Sequence, residues 1–284
     1  MINTELSSKE FALMQKFIEE RCGISLSEEK AYLIESRLSK LLIDSDSSSF
    51  EELYEKINNI NNETIVEKVI DAITTNETLW FRDNMPWRIL EDILLPTYIQ
   101  QIREGKRAKV RIWSAACSTG QEPYSISMCI NNYLDQRKII DVKISNFEIL
   151  ATDISSTVLQ IAALGRYDNI SIIRGLDNAY KDKYFTNQGR VWSIDEKIKN
   201  SVNFKKFNLQ NSFILLGKFD VIFCRNVIIY FSNNLKKEVM GKVAASLEPQ
   251  GALFLGSSEL FINYKDHFDM EQYNGGVYYT GKKG

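Results

Sequence analysis

Apolar residues recur at helical spacing through the first quarter of the chain. Phe11, Leu13, Met14, Phe17 and Ile18 follow the capping-box pattern Ser7-x-x-Glu10 and mark one amphipathic helix. Tyr32, Leu33, Leu38, Leu41 and Leu42 mark a second. The polar run Asp44-Ser-Asp-Ser-Ser-Ser49 is a loop, and Ser49-x-x-Glu52 caps a third helix. Ile65, Val66, Val69, Ile70 and Ile73 define a fourth. No strand alternation interrupts residues 1–75, which read as an all-α N-terminal domain. Residues 76–105 form a linker and a connecting helix, with Trp87, Leu90, Ile93 and Leu94 on one face. Pro96 is expected to kink or divide that helix.

From residue 106 to 284 the pattern becomes one of short apolar runs alternating with amphipathic ones. Strands are read over 110–113, 147–152, 219–224 and 252–255, and helices over 123–134, 155–164 and 235–247. A last strand, 276–280, follows a Gly-containing turn. This rhythm predicts an α/β fold, a doubly wound parallel sheet with an antiparallel edge. Between residues 166 and 207 the rhythm fails for too long a stretch to be a structureless loop. Residues 190–194 and 201–205 alternate near Gly189, so about 168–206 is read as an inserted helix and β-hairpin.

Charge sharpens the division. The whole chain of 284 residues carries a formal net charge of -2, but residues 1–75 hold 8 Lys/Arg against 15 Asp/Glu. An acidic helical part thus precedes a mildly basic α/β part, which argues against a phosphate-binding N-terminal surface. The 4 cysteines have no C-x-x-C spacing and His267 is the single histidine, so zinc sites and His-based triads are disfavoured. Sparse cysteines, no apolar run of about 18 residues and no leader pattern at the N-terminus predict a cytoplasmic protein.

In an open α/β sheet, ligands sit beyond the carboxyl ends of the strands. After the first strand comes Ser114-Ala-Ala-Cys-Ser-Thr-Gly-Gln-Glu-Pro123. Its small residues allow close backbone approach, but it lacks the G-x-G-x-x-G phosphate pattern, and Glu122 would repel phosphate. Glu122 is either an ordinary helix-start acid or a partner for a cationic ligand. Asp153, ending the second strand, either caps the next helix or accepts hydrogen bonds from a ribose. Together they suit a positively charged nucleoside without phosphate, for which S-adenosylmethionine qualifies. Arg225, beside Asn226 inside the apolar stretch Phe223-Cys-Arg-Asn-Val-Ile-Ile-Tyr-Phe231, needs a carboxylate from the chain or a ligand. Tyr230 lies beyond them as an aromatic wall or hydrogen-bond donor. Thr74-Thr-Asn-Glu-Thr-Leu-Trp-Phe-Arg82, at the domain junction, is either a plain capped linker or a strap over the sheet mouth.

These motifs, in this order and spacing, resemble the CheR-type chemoreceptor glutamate methyltransferases. The matching stretches are Thr75–Arg82, Ser114–Ser125, Ala151-Thr-Asp-Ile154 and Phe223–Phe231, with Pro249-Gln-Gly251 and Gly256-Ser-Ser-Glu259 beyond. The resemblance spans nearly the whole chain. It implies a Rossmann-like S-adenosylmethionine-dependent methyltransferase domain with a small inserted β-subdomain. It also implies cofactor contacts from Asn76, Thr78, Arg82, Glu122, Asp153, Asn208, Leu209, Arg225 and Asn226. The implied reaction is methylation of glutamate side chains in the cytoplasmic helical bundle of methyl-accepting chemotaxis receptors, giving methyl esters and needing no metal. Arg82, Arg225 and Tyr230 are the implied catalytic residues, with Arg82 by the methionine portion, Arg225 orienting carboxylates and Tyr230 lining the methyl path. The implied enzyme is a cytoplasmic monomer recruited to membrane receptor arrays without inserting in the bilayer.

Two departures qualify the resemblance. In some members a Gly-containing loop of the β-subdomain docks a pentapeptide at the receptor's C-terminal tail. Here Tyr184-Phe-Thr-Asn-Gln-Gly-Arg-Val191 is shortened at that loop, so a tail-independent enzyme is expected. Members also grip the acidic receptor bundle with a basic N-terminal helix, of which only Arg37 and Lys40 are retained. The alternatives are a nucleic-acid base methyltransferase and a non-catalytic S-adenosylmethionine-binding regulator. The first is opposed by Asn226-Val-Ile-Ile-Tyr230, which is one residue longer than an Asn-Pro-Pro-Tyr turn and has no proline. The second is opposed by the presence of Arg225 and Tyr230.

Overall fold

The computed structural model describes residues 5–59, 62–259 and 265–282. The N-terminal residues 1–4, read above as carrying no leader pattern, lie outside the described residues. Four helices open the chain: α1 (Ser8–Cys22), α2 (Ala31–Asp44), α3 (Phe50–Asn58) and α4 (Glu63–Ile73). Ser7 and Glu10 form the reciprocal capping box of α1, and Gly23, at φ +74°, ends it in the left-handed conformation. Ser49 caps α3 through the N–H of Glu52. Phe11, Met14, Ile18, Leu38, Leu42, Leu53 and Val69 close a separate apolar core for these helices.

The connecting segment is one continuous helical run, α5 (Asn84–Ile89), a π-helical turn (Leu90–Leu94) and α6 (Leu95–Arg103). Pro96 neither breaks nor divides it. The widened turn just before the proline accommodates the ring and the missing N–H. Trp87, Leu90, Leu94 and Tyr98 pack onto the sheet.

The rest follows as β1 (Val110–Ala115), α7 (Gln121–Gln136), β2 (Phe147–Asp153) and α8 (Ser156–Leu164). An insertion comes next: β3 (Arg166–Asp168), α9 (Asn169–Ile173), α10 (Asn178–Tyr184), β4 (Phe185–Gln188), β5 (Val191–Ile194) and α11 (Glu196–Lys199). The chain returns with β6 (Val202–Lys206), β7 (Phe219–Cys224), α12 (Asn233–Ser246), β8 (Leu247–Leu255), β9 (Phe268–Tyr273) and β10 (Gly276–Gly281). The large sheet has the order β6-β2-β1-β7-β8-β10-β9. Its first five strands run parallel, and β10 runs antiparallel to both neighbours.

The α/β sheet behind an all-α N-terminal part is therefore present, with two corrections. The antiparallel strand is not at the edge, because β9, which the sequence pattern did not reveal, pairs outside it through the Asn274-Gly275 turn. The alternating segment near 201–205 is not half of a hairpin. As β6 it is the outer parallel strand of the main sheet, beside β2. The hairpin consists of β4 and β5 around Gly189, and β3 adds a third strand to it. Period-2 alternation marks a half-buried edge strand and a hairpin strand equally, so the pattern alone could not assign the partner.

Alternate residues of the central strands face opposite cores. Ile112 and Phe223 join the cluster under α5–α7, while Trp113 and Ile222 join the one under α12. The carboxyl ends of β1, β2 and β7 then open together where the strand order reverses, the place an α/β sheet offers to a ligand.

Candidate functional site at the strand mouths

A cleft opens at these strand ends. Asn76, Thr78, Arg82, Glu122, Asp153, Asn208, Leu209, Arg225, Asn226 and Tyr230 all line it. Arg37 and Lys40 do not.

The floor is the turn after β1. Ala116, Ser118 and Gly120 all take positive φ, which turns the backbone N–H of Ser118 towards the neighbouring strand. Gly120 is required there, since a Cβ would lie 2.9 Å from that of Ala162. Asp153 accepts from Ser118 N–H at 2.8 Å and Ser155 N–H at 3.0 Å. It therefore braces the turn and starts α8 together, leaving lone pairs for a further donor. Burial raises its carboxyl above the usual aspartate range, and the two N–H bonds offset part of that rise. Cys22 and Cys117 also line the cleft. Burial raises the Cys22 thiol to about 12 and Cys117 well above its ordinary value, so neither is a ready nucleophile.

Glu122 stands in the first turn of α7. Ser114 Oγ donates to its Oε1 at 2.7 Å, and Arg225 Nη1 donates to its Oε2 at 3.0 Å. Arg225 directly follows β7, with its side chain only 1% exposed. Its Nη2 donates to Asp83 Oδ2 at 2.6 Å and to the Arg82 carbonyl at 2.8 Å. Within the cleft, then, Arg225 is held between two carboxylates of the chain, while its buried Nε has no hydrogen-bond partner among the described residues. The sequence motif ended at Arg82 and gave no sign of Asp83, one residue further on. Arg82 is the contrasting case. Half-buried in the lining, its guanidinium makes no hydrogen bond or ion pair among the described residues.

The linker does strap over the mouth. Trp80, 1% exposed, donates its indole N–H to Ser171 O at 2.9 Å and packs edge-on to Tyr167 and Phe185 of the insertion. Ser118 Oγ donates to Asn76 O at 2.8 Å, which holds Asn76 and Thr78 along the rim.

The far wall joins both parts of the chain. Asn208 donates through Nδ2 to the Arg21 carbonyl at 2.8 Å and accepts from Gln210 N–H through Oδ1. Its side chain thus latches α1 to the α/β part, while Leu209 packs into the core beneath α12. Tyr230 O accepts from Ser25 N–H at 2.8 Å, and Cys22 and Ile24 complete the wall. Sequence spacing could not find this, because it depends on how two separately patterned segments dock. Arg37 donates to Ile73 O at 2.6 Å, Thr74 O and Thr75 Oγ1, capping the end of α4. Lys40 is exposed.

Residues 76–277 match the family model described as "CheR methyltransferase, SAM binding domain", and residues 9–74 match "CheR methyltransferase, all-alpha domain". Chemotaxis protein methyltransferase Cher2 of Pseudomonas putida is 42% identical over 96% of this chain and 98% of its own. Chemotaxis protein methyltransferase 1 of Pseudomonas aeruginosa is 40% identical over 97% and 99%. The Vibrio cholerae protein of the same name is 42% identical over 98% of each chain. With the strand-mouth cleft, the helical domain docked on it and these matches along nearly the full length, the chain belongs to the CheR methyltransferase family.

Proposed function

We propose that this chain methylates glutamate side chains in the cytoplasmic helical bundle of methyl-accepting chemotaxis receptors, giving glutamyl methyl esters. The carrying observation is the charge layout of the cleft. Arg82, whose guanidinium has no partner among the described residues, lines the same cleft as Glu122 and Asp153. An acidic wall suits a sulfonium and an ammonium, a free guanidinium suits a carboxylate, and Asp153 suits a ribose. Two further buried atoms of the cleft residues, Arg225 Nε and Asn226 Oδ1, lack a hydrogen-bond partner among the described residues and offer one donor and one acceptor. These groups fit S-adenosylmethionine.

Held by Asp153 and Glu122, S-adenosylmethionine would supply an electrophilic methyl on sulfur for a carboxylate oxygen, with S-adenosylhomocysteine as the leaving product. The acceptor glutamate is already ionised at neutral pH, with a reference pKa of about 4.3, so no general base is needed. The chain's own work is alignment and exclusion of water. Asp153 and the turn before α7 fix the nucleoside end. Arg82 pairs a carboxylate, Tyr230 walls the reacting side, and the linker covers the mouth.

The two-residue turn Gly189-Arg190 between β4 and β5 leaves little loop for a peptide, so receptor recognition rests on the bundle and not on a C-terminal tail. The enzyme acts as a cytoplasmic monomer recruited to receptor arrays. The test is transfer of labelled methyl from S-adenosylmethionine to receptor cytoplasmic fragments, with base-labile product and the sites mapped by mass spectrometry. Intact donor binding without transfer to any receptor of the host would overturn the proposal.

A further inference from the structure

We infer that Glu259 is a positioning residue for methyl transfer, the staple that holds the Asn226–Tyr230 segment in the cleft. Its carboxylate is buried, 6% exposed, and forms no ion pair among the described residues. Four backbone N–H groups neutralise it instead. Oε2 accepts from Gly256 at 2.6 Å and Asn226 at 2.8 Å, and Oε1 accepts from Val227 and Ile228, each at 3.0 Å. Three of the four donors follow Arg225 directly in the chain. They are the amides left unpaired as β7 ends, gathered onto one anion.

The segment needs such a hold. Asn226 sits at φ +59°, a conformation that costs a non-glycine residue energy unless its surroundings enforce it. That conformation sends the Asn226 side chain into the cleft lining and starts the short turn, Ile228–Tyr230, that carries Tyr230 there. Gly256 serves the same fit, since a Cβ on it would lie 2.7 Å from Asn226 Nδ2 and 2.9 Å from its backbone nitrogen. Glu259 itself is absent from the cleft lining, so it acts through Asn226 and Tyr230 and not on the reacting atoms.

The turnover arm of the test rests on the glutamate-methylating reading, and the exchange arm does not. Full-length Glu259→Gln keeps the shape but turns an amide donor against the clustered N–H groups. The expected result is selective loss of amide-exchange protection at residues 226–228, with protection in β7 retained. At saturating donor and receptor fragment, kcat should fall at least tenfold, with a smaller change in KM. Glu259→Asp, a carboxylate on a shorter arm, should recover part of both losses. Wild-type exchange at 226–228 in Glu259→Gln would overturn the inference. So would a loss spread equally over β7, or a kcat within twofold of the unsubstituted enzyme. If the unsubstituted chain methylates no fragment, the substrate reading fails, and the exchange pattern alone decides the role of Glu259.

Discussion

Arg225 reaches back 2.6 Å to the carboxylate of Asp83, tying the end of β7 to the linker that crosses its mouth. Arg225 is buried and Asp83 is 40% exposed, so the pair is asymmetric. Arg225→Ala leaves Glu122 without its cation in a place only 14% exposed, and should cost about 3–5 kcal/mol of stability. Asp83→Ala leaves Arg225 paired with Glu122 and should cost about 1 kcal/mol or less. Denaturant unfolding of both variants checks this; equal costs would rule out the clamp.

Arg82 should behave in the opposite way. With no partner among the described residues its guanidinium contributes little to folding, and Arg82→Ala should leave stability within about 0.5 kcal/mol. Methyl transfer should nevertheless fall about 10²-fold or more, as when one charge-stabilising donor is removed. Unfolding curves and initial rates on the same preparation separate the two effects.

Asp153 sets a pH dependence of known sign. Its folded-state pKa lies above the unfolded one because burial disfavours the charge. Its contribution to folding is therefore fully present below the unfolded pKa and lost as pH rises through the folded one. Donor binding should follow the opposite direction if, as proposed, ribose hydroxyls donate to the ionised carboxylate. S-adenosylhomocysteine affinity measured by calorimetry should weaken on acidification, starting at a higher pH than an ordinary aspartate would give. Asp153→Ala should lower the affinity by about 1.5–3 kcal/mol or more and remove that acid limb.

Arg37 and Lys40, neighbours on α2, should separate as well. Arg37→Ala removes the cap from two carbonyls at the end of α4 and should destabilise by about 1–3 kcal/mol. Lys40→Ala should be neutral for folding, and any effect should appear only in KM for receptor fragments. A rise in KM for Arg37→Ala without loss of stability would mark Arg37 as a docking residue.

Deleting the extreme C-terminal tail of a receptor should leave its methylation rate unchanged. The tight turn between β4 and β5, with Gln188 paired to Val191, is the reason. Steady-state rates on full-length and tail-truncated receptors decide it, and a large loss on truncation would count against tail independence.

What the sequence determined by itself is local. Helical periodicity, capping boxes and the rhythm of apolar runs gave the four N-terminal helices, the central strands and the α/β class, because these depend on spacing within a dozen residues. Asp153, Glu122 and Arg225 were legible because each sits where a strand ends or a helix starts. Asn208-Leu209 came only through family resemblance.

The tertiary structure decided what depends on partners distant in sequence. It placed β6 beside β2 and slipped β9 outside β10, choices that alternation leaves open. It gave Arg225 to Asp83 and Glu122, across more than a hundred residues, and left the Arg82 guanidinium without a partner among the described residues. It brought Cys22 and Ile24 of the helical part to the cleft wall, and gathered four amides onto Glu259. A charge in a sequence states only that a counter-charge or solvent must satisfy it. Which group does so is fixed when the chain has folded and the desolvated charge has found the nearest geometry that satisfies it.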